Sequence, residues 1–118
     1  MSNTHCQFFN QAAEYTTQFL TDYRIEHCDV HAQTVNDQDI INEELFIKFT
    51  IDNCTFSIED VWCFPYVLLR DRDSTDAGSI LCEYKYDVDN FDLFVTFIEN
   101  VKQILFDRGL LFDGYVLK

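Results

Sequence analysis

Three glycines and a single proline among 118 residues leave little material for flexible linkers, and they exclude the glycine-rich loops that cradle nucleotide phosphates. Gly78, Gly109 and Gly114 are scattered, each where a turn or a helix end has a use for it. There is no C-x-x-C pair. Cys6, Cys28, Cys54, Cys63 and Cys82 form an odd set without zinc-ribbon or disulfide-framework spacing, so they read as reduced, largely buried, small apolar residues. Neither H-E-x-x-H nor a nucleophile elbow occurs. The chain therefore carries no motif for an enzyme and none for a cofactor. Apolar runs stop at about seven residues, far short of a membrane span. The N-terminal M-S-N-T-H-C-Q-F-F has no basic region leading into an apolar stretch. The expectation is a cytoplasmic protein without membrane association.

Positive charge is scarce. Eight Lys and Arg face twenty-one Asp and Glu, a net charge of −13. Direct binding of DNA or RNA is disfavoured, because phosphate contacts need Lys and Arg. A basic protein partner is favoured instead. The acids are dispersed through a chain that is 47% apolar and 16% aromatic, which separates it from disordered acidic tails. Such a chain can bury one core, and residues 1–118 are read as one domain.

Phe8, Phe9, Ala12, Ala13, Tyr15, Phe19, Leu20 and Tyr23 recur at spacings of three and four, which predicts an amphipathic helix over 7–24. Cys28, Val30 and Ala32 then alternate with His27, Asp29, His31 and Gln33, as in a strand. After a polar connection over 36–44, Leu45, Ile47, Phe49 and Ile51 share one strand face. Asp52-Asn53 predicts a tight hairpin into Cys54, Phe56 and Ile58. Val61 to Leu69 is apolar on both faces, and Pro65 assigns it to an edge or a bulge. Residues 70–78 read as a surface loop. Ile80, Cys82, Tyr84, Tyr86 and Val88 read as one face of a further strand. A second helix over 90–108 follows from Phe91, Phe94, Val95, Ile98, Val101 and Leu105, with Asp89 or Asn90 as its cap and Gly109 as its end. An extended tail follows a turn at Asp113-Gly114. The fold class is α+β: a mostly antiparallel sheet of about five strands with an N-terminal and a C-terminal helix packed on it.

The hexapeptide E-H-C-D-V-H, 26–31, has the residue density of a metal site. On a strand, however, His27 and His31 stand about 13 Å apart, and one ion bonded at about 2.0–2.1 Å cannot join them. On a continued helix they would lie one turn apart. The alternation favours the strand and no metal. The stretch from Asp71 to Cys82 resembles a calcium loop only in its first positions, because its sixth residue is Asp76 rather than Gly and its twelfth is Cys82 rather than Glu.

Three acidic clusters remain: Asp37, Asp39, Glu43 and Glu44; Asp71, Asp73 and Asp76; Asp87, Asp89 and Asp92. Carboxylates at alternate positions of one strand are about 6.6 Å apart, whereas duplex DNA carries a charge every ~1.7 Å. Mimicry of a phosphate backbone therefore demands several elements acting together. The expected function is a small acidic binding protein that occludes a basic partner, a nuclease or other nucleic-acid-binding protein. The clusters would steer association, with Phe64, Tyr66 and Tyr115 as anchors. Phage-encoded antagonists of host defence and immunity partners of nuclease toxins share this size and charge. The competing expectation is an acidic homodimeric chaperone or adaptor that exposes the apolar strand over 61–69.

Overall fold

A computed structural model describes residues 5–35, 41–61, 64–73 and 79–111, with side chains described in these segments except at 5, 6, 27–35 and 41–44. Helix α1 spans His5–Asp22. Five strands follow: β1 Glu26–Val35, β2 Ile41–Ile51, β3 Cys54–Asp60, β4 Tyr66–Asp71 and β5 Ser79–Lys85. Helix α2 spans Asp92–Asp107. The strands lie in sequence order, and every neighbouring pair is antiparallel. The protein is thus an α+β meander.

One face of the sheet is dry. Leu45, Ile47 and Phe49 of β2, Phe56 and Ile58 of β3, and Val67 and Leu69 of β4 are all buried there. Helix α1 covers the β1–β2 side with Phe8, Phe9, Ala12, Phe19 and Leu20, and α2 covers β5 with Phe94, Phe97, Ile98, Val101 and Leu105. Period-2 stripes on strands and period-3.6 stripes on helices meet in a single core. Thr16 is buried within the apolar stripe of α1, where its hydroxyl donates to the Ala12 carbonyl at 2.8 Å, a local bond that removes the cost of burying it.

Several expectations need correction. Val61 to Leu69 is not an edge strand: β4 begins at Tyr66, after Pro65, and lies between β3 and β5. Proline, which has no N–H to donate, sits in the connection, and the strand is apolar on both faces because Val67, Leu68 and Leu69 are all buried. Strand β5 does not keep one face throughout. Its ladder with β4 shifts between Leu69 and Arg70, which places Ile80 opposite Arg70 and leaves it 51% exposed, while Leu81 packs towards the core. An extra residue in one strand reverses the alternation beyond it. Helix α2 starts after Phe91, with no side-chain cap; Asp87 and Asn90 are instead joined in a turn, the Asn90 N–H donating to the Asp87 carbonyl at 2.9 Å. The predicted loop over 70–78 begins late, since β4 continues through Asp71, and the connection expected over 36–44 ends early, since β2 begins at Ile41 and takes in Glu43 and Glu44. The expected tail turn at Asp113-Gly114 lies outside the described residues.

Residues 26–35 are a strand, not a continuation of α1. The ladder shifts between Cys28 and His31, so that His27 is opposite Phe49 and His31 opposite Phe46. The regular alternation suggested by the sequence is not kept there.

Both helices end in the same motif. The Ile25 N–H donates to the Leu20 carbonyl at 2.8 Å and the Arg24 N–H to Thr21 at 3.0 Å; Leu110 to Leu105 and Gly109 to Phe106, both at 2.9 Å, repeat the pattern. This Schellman ending requires one left-handed residue. The second helix supplies Gly109 at φ 74, whereas the first uses Arg24 at φ 58, a position where a side chain costs roughly 1–2 kcal/mol.

Ile98 is 1% exposed at the centre of the α2 stripe. Ile98→Ala should lower stability by about 2–5 kcal/mol, seen as a lower urea midpoint with unchanged slope.

Candidate functional site

The exposed aromatics lie at one end of the sheet. The connection from β3 to β4 is closed by hydrogen bonds: the Val61 N–H donates to Tyr66 at 2.9 Å, Phe64 to Val61 at 3.3 Å and Tyr66 to Phe64 at 2.8 Å. Phe64 is left 62% exposed and Tyr66 37%. The Tyr86 N–H then donates to the Pro65 carbonyl at 2.9 Å, which carries the chain leaving β5 to the base of this connection. The acidic segment Asp87, Asp89 and Asp92 starts at the next residue. All three are exposed. The Asp87 carboxylate accepts the Asp89 N–H at 2.9 Å, so the segment is a formed Asx turn and not a loose loop. Asp92 stands in the first turn of α2, where the helix field favours a carboxylate. Leu93 beside it is 40% exposed, and Lys85 lies opposite Tyr66 in the ladder. Neither Lys85 nor Leu93 was distinguishable in the sequence from any other surface position.

The first acidic cluster belongs in part to the same end. Glu43 of β2 pairs with Gln33 of β1 in backbone register, and the Leu45 N–H donates to the Asp60 carboxylate at 2.8 Å, tying the start of β2 to the end of β3. Glu43 and Glu44 thus enter the sheet at the end that carries Phe64. Asp37, Asp39, Asp76 and Tyr115 lie outside the described residues.

The second cluster is elsewhere and otherwise occupied. Asp71 closes β4, five residues and about 17 Å from Tyr66. Its carboxylate accepts the Asp73 N–H at 3.0 Å and pairs with Arg108 at 3.3 Å. The Asp73 carboxylate accepts the Thr55 N–H at 2.6 Å. These acids hold the β4 turn against the β2–β3 hairpin and the end of α2. The three clusters therefore do not form one surface.

The outer sheet face is internally bonded. Glu59 pairs with Arg70 at 3.2 Å and Arg72 at 3.3 Å and accepts the hydroxyl of buried Ser57 at 2.7 Å. Arg72 also lies over the Phe46 ring at 5.7 Å.

Two groups on the core side have shifted proton affinities. Burial pushes the Cys82 thiol up to about 11, opposed by a backbone hydrogen bond from Leu69. Burial, with Tyr86 second, raises Tyr84 well above its ordinary value, and its hydroxyl has no hydrogen-bond partner. Both stay protonated at neutral pH, so neither is an activated nucleophile. Cys54 and Cys82 are free thiols. Among the described residues no three His, Cys, Asp or Glu side chains are placed to share a metal ion, and no helix is long and apolar enough to cross a membrane.

No protein-family model, curated protein or solved structure matches the chain.

Asp73→Ala should cost about 1 kcal/mol by removing the acceptor of the Thr55 N–H, whereas Asp89→Ala should stay within about 0.5 kcal/mol, as for ordinary surface positions. Chemical denaturation of the two variants checks the contrast.

Proposed function

We propose that the protein is a small acidic binding protein that neutralises a basic, nucleic-acid-handling partner by covering its surface, and that it acts in the cytoplasm without catalysis. The observation that carries this reading is the Tyr86–Pro65 hydrogen bond. It joins two exposed aromatic side chains to a turn and helix start that together bear three exposed carboxylates, although Pro65 and Tyr86 are 21 residues apart in the chain. Aromatic anchors near fixed charges are the composition of an interface hot spot with an electrostatic rim. Net −13 adds long-range attraction for a basic partner. Asp71 and Asp73, committed to folding, are left out of the contact surface.

The adaptor reading draws less support. It needs the apolar segment over 61–69 at the surface, but Val67, Leu68 and Leu69 are interior, and among the described residues of the segment Phe64, Pro65 and Tyr66 are the exposed ones.

The test is capture of the partner from native host lysate, identification by mass spectrometry, and kinetics on the purified pair. Replacing Asp87, Asp89 and Asp92 together by Asn should slow association about tenfold at low salt and by much less at high salt. Phe64→Ala with Tyr66→Ala should instead speed dissociation. A captured partner without a basic surface, or one whose kinetics neither variant changes, would overturn the proposal.

A further inference from the structure

At the opposite end of the sheet from Phe64 and Tyr66 lies a cavity of about 530 Å³, within the size range of small-ligand sites. It forms where the exit of α1, the β2–β3 hairpin and the exit of α2 converge. Its apolar wall comes from Ile25, Ile51 and Leu111, all nearly buried. Its polar lining includes Glu26, Asp52 and Asn53.

The local field is negative. Both helices direct their C-terminal ends to this region, and each such end carries about half a negative charge. Neither helix has a base in its last turn; each finishes on an acid, Asp22 and Asp107. Arg108 follows α2 but is bound to Asp71 at 3.3 Å. The cation lining the cavity is Arg24, exposed and held at φ 58 where the matching position of α2 has glycine. The chain thus accepts backbone strain to keep a guanidinium at a site whose other charges are carboxylates.

We propose that this cavity is a receptor for an organic cation on an apolar stem, a guanidinium or ammonium group, and that Arg24 competes with the ligand for it. The apolar wall would take the stem, and Glu26 and Asp52 the charged head. Two sources supply this chemistry: an arginine or lysine side chain of a bound protein, and a free polyamine. The inference is independent of the partner proposed above, because the site shares no residue with the Phe64–Asp92 surface.

The experiment is a ¹⁵N-resolved NMR titration of the full chain with agmatine at about 0.15 M salt, where the Debye length is about 8 Å and diffuse attraction to the acidic surface is screened. Saturable shifts should appear at Tyr23, Glu26, Asp52 and Asn53. The double variant Glu26→Gln, Asp52→Asn should bind about tenfold more weakly, and asparagine keeps the left-handed backbone of the hairpin. Arg24→Gly should bind more tightly and also be more stable. Repeating the titration with 1,4-diaminobutane and with a capped arginine peptide separates the sources: tighter binding of the peptide assigns a protein side chain, and tighter binding of the diamine a polyamine. Shifts that do not saturate, shifts of equal size at Asp87 and Asp89, or an affinity unchanged in the double variant would overturn the proposal.

Discussion

Phe8, near the start of the first helix, stacks on Tyr86 with ring centroids 5.1 Å apart, and meets Phe91 and Phe94 edge-on at 6.2 and 6.1 Å. Tyr15 reaches the same two phenylalanines from about two turns further along α1. Helix α1 packs on β1 and β2 and helix α2 on β5, at opposite sides of the sheet, so this aromatic cluster ties the two helices to each other and to the chain leaving the last strand. Such ring pairs add about 0.5–1.5 kcal/mol each beyond the area they bury. Tyr86 is also the residue whose N–H bonds Pro65. One residue thereby sets the position of the acidic turn both from the core side and from the β3–β4 connection, and the exposed surface inherits its geometry from the core.

The scarcity of bases shapes the rest of the molecule. Arg70 and Arg72 are held by Glu59, Arg108 by Asp71 and Lys102 by Glu99. Arg72, Lys102 and Arg108 also lie over aromatic rings at 5.7 to 6.0 Å. Exposed pairs of this kind contribute little stability, about 0–1 kcal/mol each. Their larger effect is on the distribution of charge. With these cations taken up internally, the surplus carboxylates at turns and strand ends are the charge the protein presents. Salt shortens the range of their mutual repulsion, and their dispersal limits it.

The elements with a clean period were legible in the sequence: both helices, β2 and β3, and the Asp52-Asn53 hairpin, whose positive φ values of 48 and 67 suit those residue types. Features set by tertiary pairing were not. Ile80 has the spacing of a core residue, but the shift in the β5 ladder turns it outward. Pro65 marks a strand start that composition alone could not separate from an edge. Asp89 and Asn90 have the residue types of helix caps, yet they are used one step earlier, in the turn closed on Asp87. Of the proposed contact residues, Phe64, Tyr66, Asp87, Asp89 and Asp92 come together because Pro65 and Tyr86 are neighbours in space, which no local pattern encodes. Asp71 and Asp73 look the same in sequence as Asp87 and Asp89, and only the partners Thr55 and Arg108 distinguish their roles.

The architecture also limits where recognition can occur. The inner face of the sheet is filled by two helices. On the outer face Ser57 and Leu68 are buried, and Glu59 is held by two arginines, so opening that face to a ligand would break charge-assisted bonds already made. Hairpin turns, helix exits and strand ends are left. In an antiparallel meander these gather at two opposite poles, because each strand begins where its predecessor ends. One pole carries exposed aromatics beside a fixed acidic turn, and the other a cavity between two helix C-termini. Both poles are negative, and both are set on the ends of strands whose central residues are fully buried. A surface supported in this way would change little if it met a cationic partner, because the ordering cost that a flexible acidic segment would bear is largely met during folding.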